Sequence, residues 1–250
     1  MQEIVGVLEE QQLELAALLA GLDDDDWSRP SACAGWSISD VVLHLAQSNE
    51  MAIGSTRGDF DAVLSRLLEG APPAANVDEG AEVMVVNERG RPPSEVHARY
   101  QRSCLDLREG LLRHEPGDRV QWVAGQLAAR TLATTRLAEA WIHTGDIAAG
   151  LGVELDPTDR LWHIARLAWR TIPYAFQRAG RDAPGPVAFR LIAPNGDAWD
   201  FGDDNAPTVI TGSAHELCQV AAQRATASDT NLTGEGPDAD AVLELVRTFA

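Results

Sequence analysis

Along the first twenty residues the apolar positions Ile4, Leu8, Leu13, Leu15, Leu18 and Leu19 fall at near-helical spacing, closed off by Gly21 and an acidic run from Asp23 to Asp26. That spacing predicts a surface helix followed by a loop. Pro30 and Gly35 mark an irregular entry, after which Ser37 and Asp40 stand as a capping box and predict a second helix from Ile38 into the fifties. Residues 71–94 are broken by Pro and Gly and read as a loop. A stripe of Val96, Tyr100, Cys104, Leu107 and Leu111 predicts a third, amphipathic helix beginning at Pro93. An Ala- and Leu-rich run from about Leu127 to Ala149 predicts a fourth, stopped by Gly150 and Gly152.

Four helical segments in this stretch suit an antiparallel four-helix bundle with one long crossover. The pattern changes after Pro157. One more helix over residues 159–180 leads into "PVAFRLIAPNGDAWDFG", where alternating residues flank a Pro-Asn-Gly turn as in a β-hairpin. "PTVITGS" reads as a third strand, and "AHELCQVAAQRATA" and "DADAVLELVRTFA" as helices. The expected fold class is therefore α+β, with a helix bundle over residues 1–153 and a smaller α+β domain over residues 154–250.

Composition narrows the function. The chain of 250 residues carries 38 acidic and 20 basic residues, a formal charge of −18, and every basic residue is arginine. Such a balance excludes nucleic acid as the expected partner, because phosphate binding needs a clustered basic surface. No apolar run approaches the roughly 20 residues of a membrane helix, and the N-terminus shows no basic region followed by an apolar stretch. The expectation is a cytoplasmic protein with a small-molecule substrate, no nucleic acid and no membrane partner, as a monomer or homodimer. Cys33, Cys104 and Cys218 are odd in number and widely spaced, which indicates neither a disulfide framework nor a thiolate zinc site.

The candidate chemistry sits in "AEAWIHTGDIAAGLG". Glu139 and His143 are four apart, so on a helix they share one face, amid Leu137, Ala138, Ala140, Trp141, Ile142, Ile147 and Ala148. His44, in "VVLHLAQ", is likewise flanked by aliphatic residues on the second helix. Two helices of one bundle can aim His44, Glu139 and His143 at a common point. Two imidazoles and a carboxylate form the open three-ligand set of catalytic zinc, although nickel, iron or manganese also accept it. The same spacing also suits a local ion pair and a hydrogen-bonded core histidine. Asp146 reads either as an orienting partner for a ligand imidazole or as a surface residue near the helix end. Arg224 reads either as a fork for a substrate carboxylate or as a helix-end arginine. Trp27, Trp36 and Trp141 read as core anchors, and Gln47, nearly one turn after His44, as facing the same pocket. His97, His114, His163 and His215 have no evident role in this chemistry.

"DDDDWSRPSACAGWSISDVVLHLAQ", followed about ninety residues later by "RLAEAWIHTGDIAAGLG", resembles the N-terminal domain of the mycothiol-dependent maleylpyruvate isomerases, within the DinB-like superfamily. The matching positions are Trp27, Gly35, Trp36, Ser37, His44, Glu139, His143 and Asp146, and the tail "TVITGSAHELCQVAAQRAT" resembles that family's C-terminal domain, whose helix ends at an arginine, here Arg224. The resemblance implies a divalent metal, zinc by preference, on His44, Glu139 and His143, with mycothiol as thiol co-substrate. It implies addition of a thiolate to an electron-poor cis double bond, rotation and elimination, or the first half of that reaction alone in a thiol S-transferase. In both, Arg224 would hold the substrate's acid group. The residues leave two other classes open: a metal-dependent cyclase, lyase or hydrolase working without thiol, and a non-catalytic metal- or ligand-binding protein.

Overall fold

Ser37 begins the longest-buried helix of the chain as the sequence predicts. Its side chain accepts from the Asp40 backbone N–H while the Asp40 carboxylate takes the Ser37 N–H, and the helix runs Ile38–Arg57 until Gly58 closes it in a left-handed conformation. In the computed structural model, which describes residues 1–72, 74, 76–123 and 125–248, the chain divides into two compact units, Met1–Leu155 and Asp156–Ala250.

The first unit is helical: α1 (Gln2–Leu19), α2 (Asp24–Ser28), α3 (Ile38–Arg57), α4 (Phe60–Leu67), α5 (Val77–Glu88), α6 (Pro93–Leu111) and α7 (Ala129–Leu151), with a hairpin of β1 (Arg119–Trp122) and β2 (Gly125–Ala128) ahead of α7. The four long helices α1, α3, α6 and α7 make its core. Helix α3 packs against α6 and α7, and α1 against both α7 and α6. Burial follows the apolar stripes, with Leu8, Leu15, Val41, Val42, Leu107, Leu111, Leu132 and Leu137 fully enclosed. Leu13, expected on the stripe of α1, is instead exposed, because its neighbours Gln11 and Gln12 turn inward to serve as buried polar contacts.

The structure corrects three expectations in this unit. The aspartate run is not a plain loop: Asp23 caps the one-turn helix α2, accepting from the Asp25 and Asp26 backbones. Residues 71–94, read as a loop, contain the three-turn helix α5; Pro73 and Ala75 lie outside the described residues. Asn76 starts that helix by accepting from the Glu79 N–H, and its Met84 and Val85 enter the core. The segment before the fourth helix forms the β1–β2 hairpin, so α7 begins at Ala129, two residues after its expected start.

The second unit is mixed. Helix α8 (Leu161–Arg178) leads to a four-stranded sheet in the order β4-β3-β5-β6, comprising β3 (Val187–Ile192), β4 (Ala198–Phe201), β5 (Thr208–Ser213) and β6 (Thr233–Glu235). The Pro-Asn-Gly turn does join an antiparallel β3–β4 hairpin, with Gly196 at φ +89°. The third predicted strand, β5, pairs with β3 in parallel, which makes β3 and β5 the inner strands. Helices α9 (Ala214–Ala221) and α10 (Ala239–Leu245) complete the unit, both shorter than their sequence patterns suggest; Phe249 and Ala250, in the last of those patterns, lie outside the described residues. The fold is α+β, helical in the first unit and mixed in the second. No helix among the described residues is long and apolar enough to cross a membrane.

Candidate metal centre

Helix α7 has apolar residues on nearly every face and is enclosed over most of its length, so any polar side chain in its middle must find its partners inside the protein. Glu139, His143 and Asp146 are three such side chains, 3%, 6% and 2% exposed, and His44, on the adjacent α3, is 8% exposed. The i, i+4 step puts Glu139 and His143 on one face, and packing of α3 on α7 brings His44 to that face.

The three sequence-predicted ligands converge. His44 Nε2 lies 3.2 Å from Glu139 Oε2, and His143 Nε2 lies 3.7 Å from the same oxygen. All three donor atoms fall within 4.8 Å of one another. The two rings stand edge to face with centroids 4.9 Å apart. Four ligands at tetrahedral angles around zinc, at bonds of about 2.0–2.1 Å, are separated by about 3.4 Å, so the observed spacings already fit one small ion. The donor set fits as well: nitrogen and oxygen atoms, with one position left open.

Electrostatics prepares the same state. Burial pushes Glu139 up, but the hydrogen bond with His44 and the charges of Arg136, His143 and His44 overcome it and hold the carboxyl at about 2. For His44, burial outweighs the hydrogen bond to Glu139; helped by the charges of His143 and Arg136, it lowers the imidazole below its ordinary value. An ionised carboxylate beside a neutral imidazole is the protonation state a metal requires of its ligands. His44 Nδ1 is buried with no hydrogen-bond partner among the described residues.

Asp146 belongs to the same group. Its Oδ2 lies 2.9 Å from His143 Nδ1, so with an ion held on Nε2 the Nδ1–H would donate to the carboxylate. Cys33 approaches from the loop before α3, its sulfur joining His143 and Asp146 in a second group of close ligand atoms. That loop is tied to α7 by the Ala32 N–H donating to the Asp146 carbonyl and by the Arg29 guanidinium donating to the Gly150 carbonyl. Gly150 is required there, since a Cβ would lie 2.5 Å from the Pro30 carbonyl oxygen.

Trp36 walls the group, with its ring 5.1 Å from His44 and 6.5 Å from His143, nearly parallel to the latter. Its indole N–H donates to Glu82 of α5, and Arg89, just past α5, pairs with Asp40 at 3.1 Å. The helix that the sequence pattern hid thus positions the wall of the site. Gln47 does not face the triad as expected; it turns to α5, donating to the Met84 carbonyl and to Glu88. Trp27 and Trp36 are buried anchors, but Trp141 is only half-buried, since the helix face it occupies is not fully covered. Arg224 lies in the second unit just after α9, where its Nη1 donates to the Ala222 carbonyl. Sequence reasoning passed over Glu82, Arg89 and Arg136; only Arg136 carried a signal, as a charge inside the apolar run of α7.

Residues 8–148 match the family described as the mycothiol maleylpyruvate isomerase N-terminal domain. Two uncharacterized proteins of Mycobacterium tuberculosis, from two strains, are each 32% identical to the chain over 239 residues, covering 95% of it and 91% of their own length. Two crystal structures of the mycothiol-dependent maleylpyruvate isomerase, one of a histidine-to-alanine mutant, superpose with a TM-score of 0.61 over 95% of both chains. Their 16% and 15% identity makes that a likeness of fold.

Proposed function

The chain belongs to the mycothiol maleylpyruvate isomerase N-terminal domain family, and from that membership we propose a metal-dependent enzyme acting on a small unsaturated or electrophilic acid, with a low-molecular-weight thiol such as mycothiol as co-substrate. The observation that carries the reading is the convergence of His44, Glu139 and His143 on one buried point, with Asp146 behind His143. Zinc is the proposed ion, because two imidazoles and one carboxylate make the open set of catalytic zinc sites. When bound, such an ion would keep a thiol as its thiolate at neutral pH.

The protein's own groups then have distinct tasks. Glu139 supplies the negative charge of the ligand set. Asp146 fixes the tautomer and ring orientation of His143. The buried surroundings, with Trp36 as one wall, keep water from competing for the thiolate. Arg224 is assigned, on the family resemblance alone, to hold a substrate carboxylate. The proposed reaction is cis–trans isomerisation by reversible addition. The thiolate sulfur bonds to one alkene carbon and the alkene electron pair passes to the conjugated carbonyl. The former double bond rotates, and the sulfur–carbon bond then breaks, returning the thiolate and the trans alkene. A thiol S-transferase shares the addition and ends by taking up a proton.

Metal content by elemental analysis tests the site. Wild type is expected to carry about one divalent ion per chain and His44→Ala, His143→Ala and Glu139→Gln almost none. Arg224→Gln is expected to retain the ion while raising KM for an acidic substrate. A wild-type protein that stays free of metal after incubation with zinc would reduce the triad to a buried ion pair and end this reading.

A further inference from the structure

One turn before Glu139, helix α7 carries a second charged side chain, whose charge helps keep Glu139 ionised but whose hydrogen-bond donors the site described so far leaves unmet. Arg136 is 4% exposed, and its Nε and Nη1 are buried with no hydrogen-bond partner among the described residues. Its guanidinium lies 4.5 Å from the centre of the Trp122 ring, which is itself buried and held against Phe60. The ring satisfies one face of the cation but accepts none of the in-plane N–H donors. An arginine has five such donors and no acceptor, and leaving them unmet in a buried place costs as much as losing a charge-assisted hydrogen bond. Arg136 nonetheless lies three residues before Glu139 on α7, so the i, i+3 step puts the two on one face of the helix.

We propose that Arg136, backed by Trp122, is the anion subsite of this centre and takes one carboxylate of the substrate beside the His44, Glu139 and His143 triad. The two oxygens of one carboxylate supply acceptors for the unmet donors. A guanidinium held by an aromatic face is pre-oriented for a planar anion in a way an ammonium is not. Had Arg136 served only to balance Glu139, a hydrogen bond between the two would be expected, and none is formed among the described residues. The inference rests on the proposed function for the identity of the anion, and it narrows the substrate to an acid whose carboxylate lies near the reacting double bond.

The test is calorimetric titration of the zinc-loaded full chain, and of the metal-stripped chain, with maleate, a simple cis dicarboxylate, in chloride-free buffer. Wild type is expected to bind it, and Arg136→Met to bind it at least tenfold more weakly while holding its metal content. Arg136→Lys keeps the stem and the charge, so it serves if the methionine variant does not fold; it is expected to weaken binding at least threefold. Equal affinity in wild type and the folded variants, or no maleate binding by the loaded wild type, overturns the subsite. Arg136-dependent binding to a wild-type chain that takes up no zinc would keep the subsite and remove the metal-dependent function, so the two ideas fail separately.

Discussion

At the scale of single residues the decisive contact is the 2.9 Å hydrogen bond from His143 to Asp146. It converts an acid three residues past a histidine into the group that selects which ring nitrogen faces the triad. Asp146→Asn keeps the shape and loses the charge, and the amide can present its own N–H to the ring. Its expected effect is metal affinity about 10–100-fold weaker, measured by competition with a chromogenic chelator. Affinity equal to wild type would show that Asp146 has no part in holding the ligand. The relation of Glu139 to His143 was legible in the sequence, because helical periodicity places residues four apart together, whereas Asp146 stood between an orienting partner and a surface residue until its burial was known. The partnership with His44 was expected from two helices of one bundle and from the family resemblance rather than from any local rule, since 95 residues separate it from Glu139.

Among the elements, α5 shows what a residue pattern conceals. Pro72 and Gly90 bracket it and Gly80 interrupts it, so breakers outweigh propensity in a reading by composition. The helix is held by its Asn76 cap and by what it packs on. Arg99 of α6 is the centre of that packing, bonded to Glu50 of α3 at 2.6 and 2.9 Å and to Glu88 of α5 at 2.8 Å. Burial raises both carboxyls, but for Glu50 the hydrogen bonds and charges of Arg99 and Arg66 prevail, and for Glu88 those of Gln47, Arg99 and Arg91; both end below the ordinary value of 4.5. A carboxylate whose pKa is depressed on folding stabilises the protein above its unfolded value, and that stabilisation is lost as pH falls through the folded value. Urea midpoints of wild type should therefore hold down to about pH 4.5 from this source and fall below it. Arg99→Met should be less stable at pH 7 and should lose less on acidification. Parallel pH profiles for the two proteins would mean that the cluster is too well solvated to matter.

For the whole molecule, the three ligands, Asp146 and Arg136 all lie within Met1–Leu155, and the family match ends at residue 148. We propose that this unit is an autonomous domain. Residues 1–155 expressed alone should melt cooperatively by circular dichroism and bind zinc with the stoichiometry of the full chain; a molten or metal-free fragment would show that the second unit is needed to form the site. By itself the sequence determined the long helices, the hairpin around Asn195 and the residue types able to bind a metal, because caps, turn residues and the 3.6-residue period act over a few neighbours. Only the tertiary structure decided that His44 meets Glu139, that α5 exists and anchors Trp36, that β5 runs parallel to β3, and that Arg136 is buried with donors unmet. Each of these depends on which distant surfaces exclude water from one another, and burial of that kind is a property of packed elements rather than of neighbouring residues.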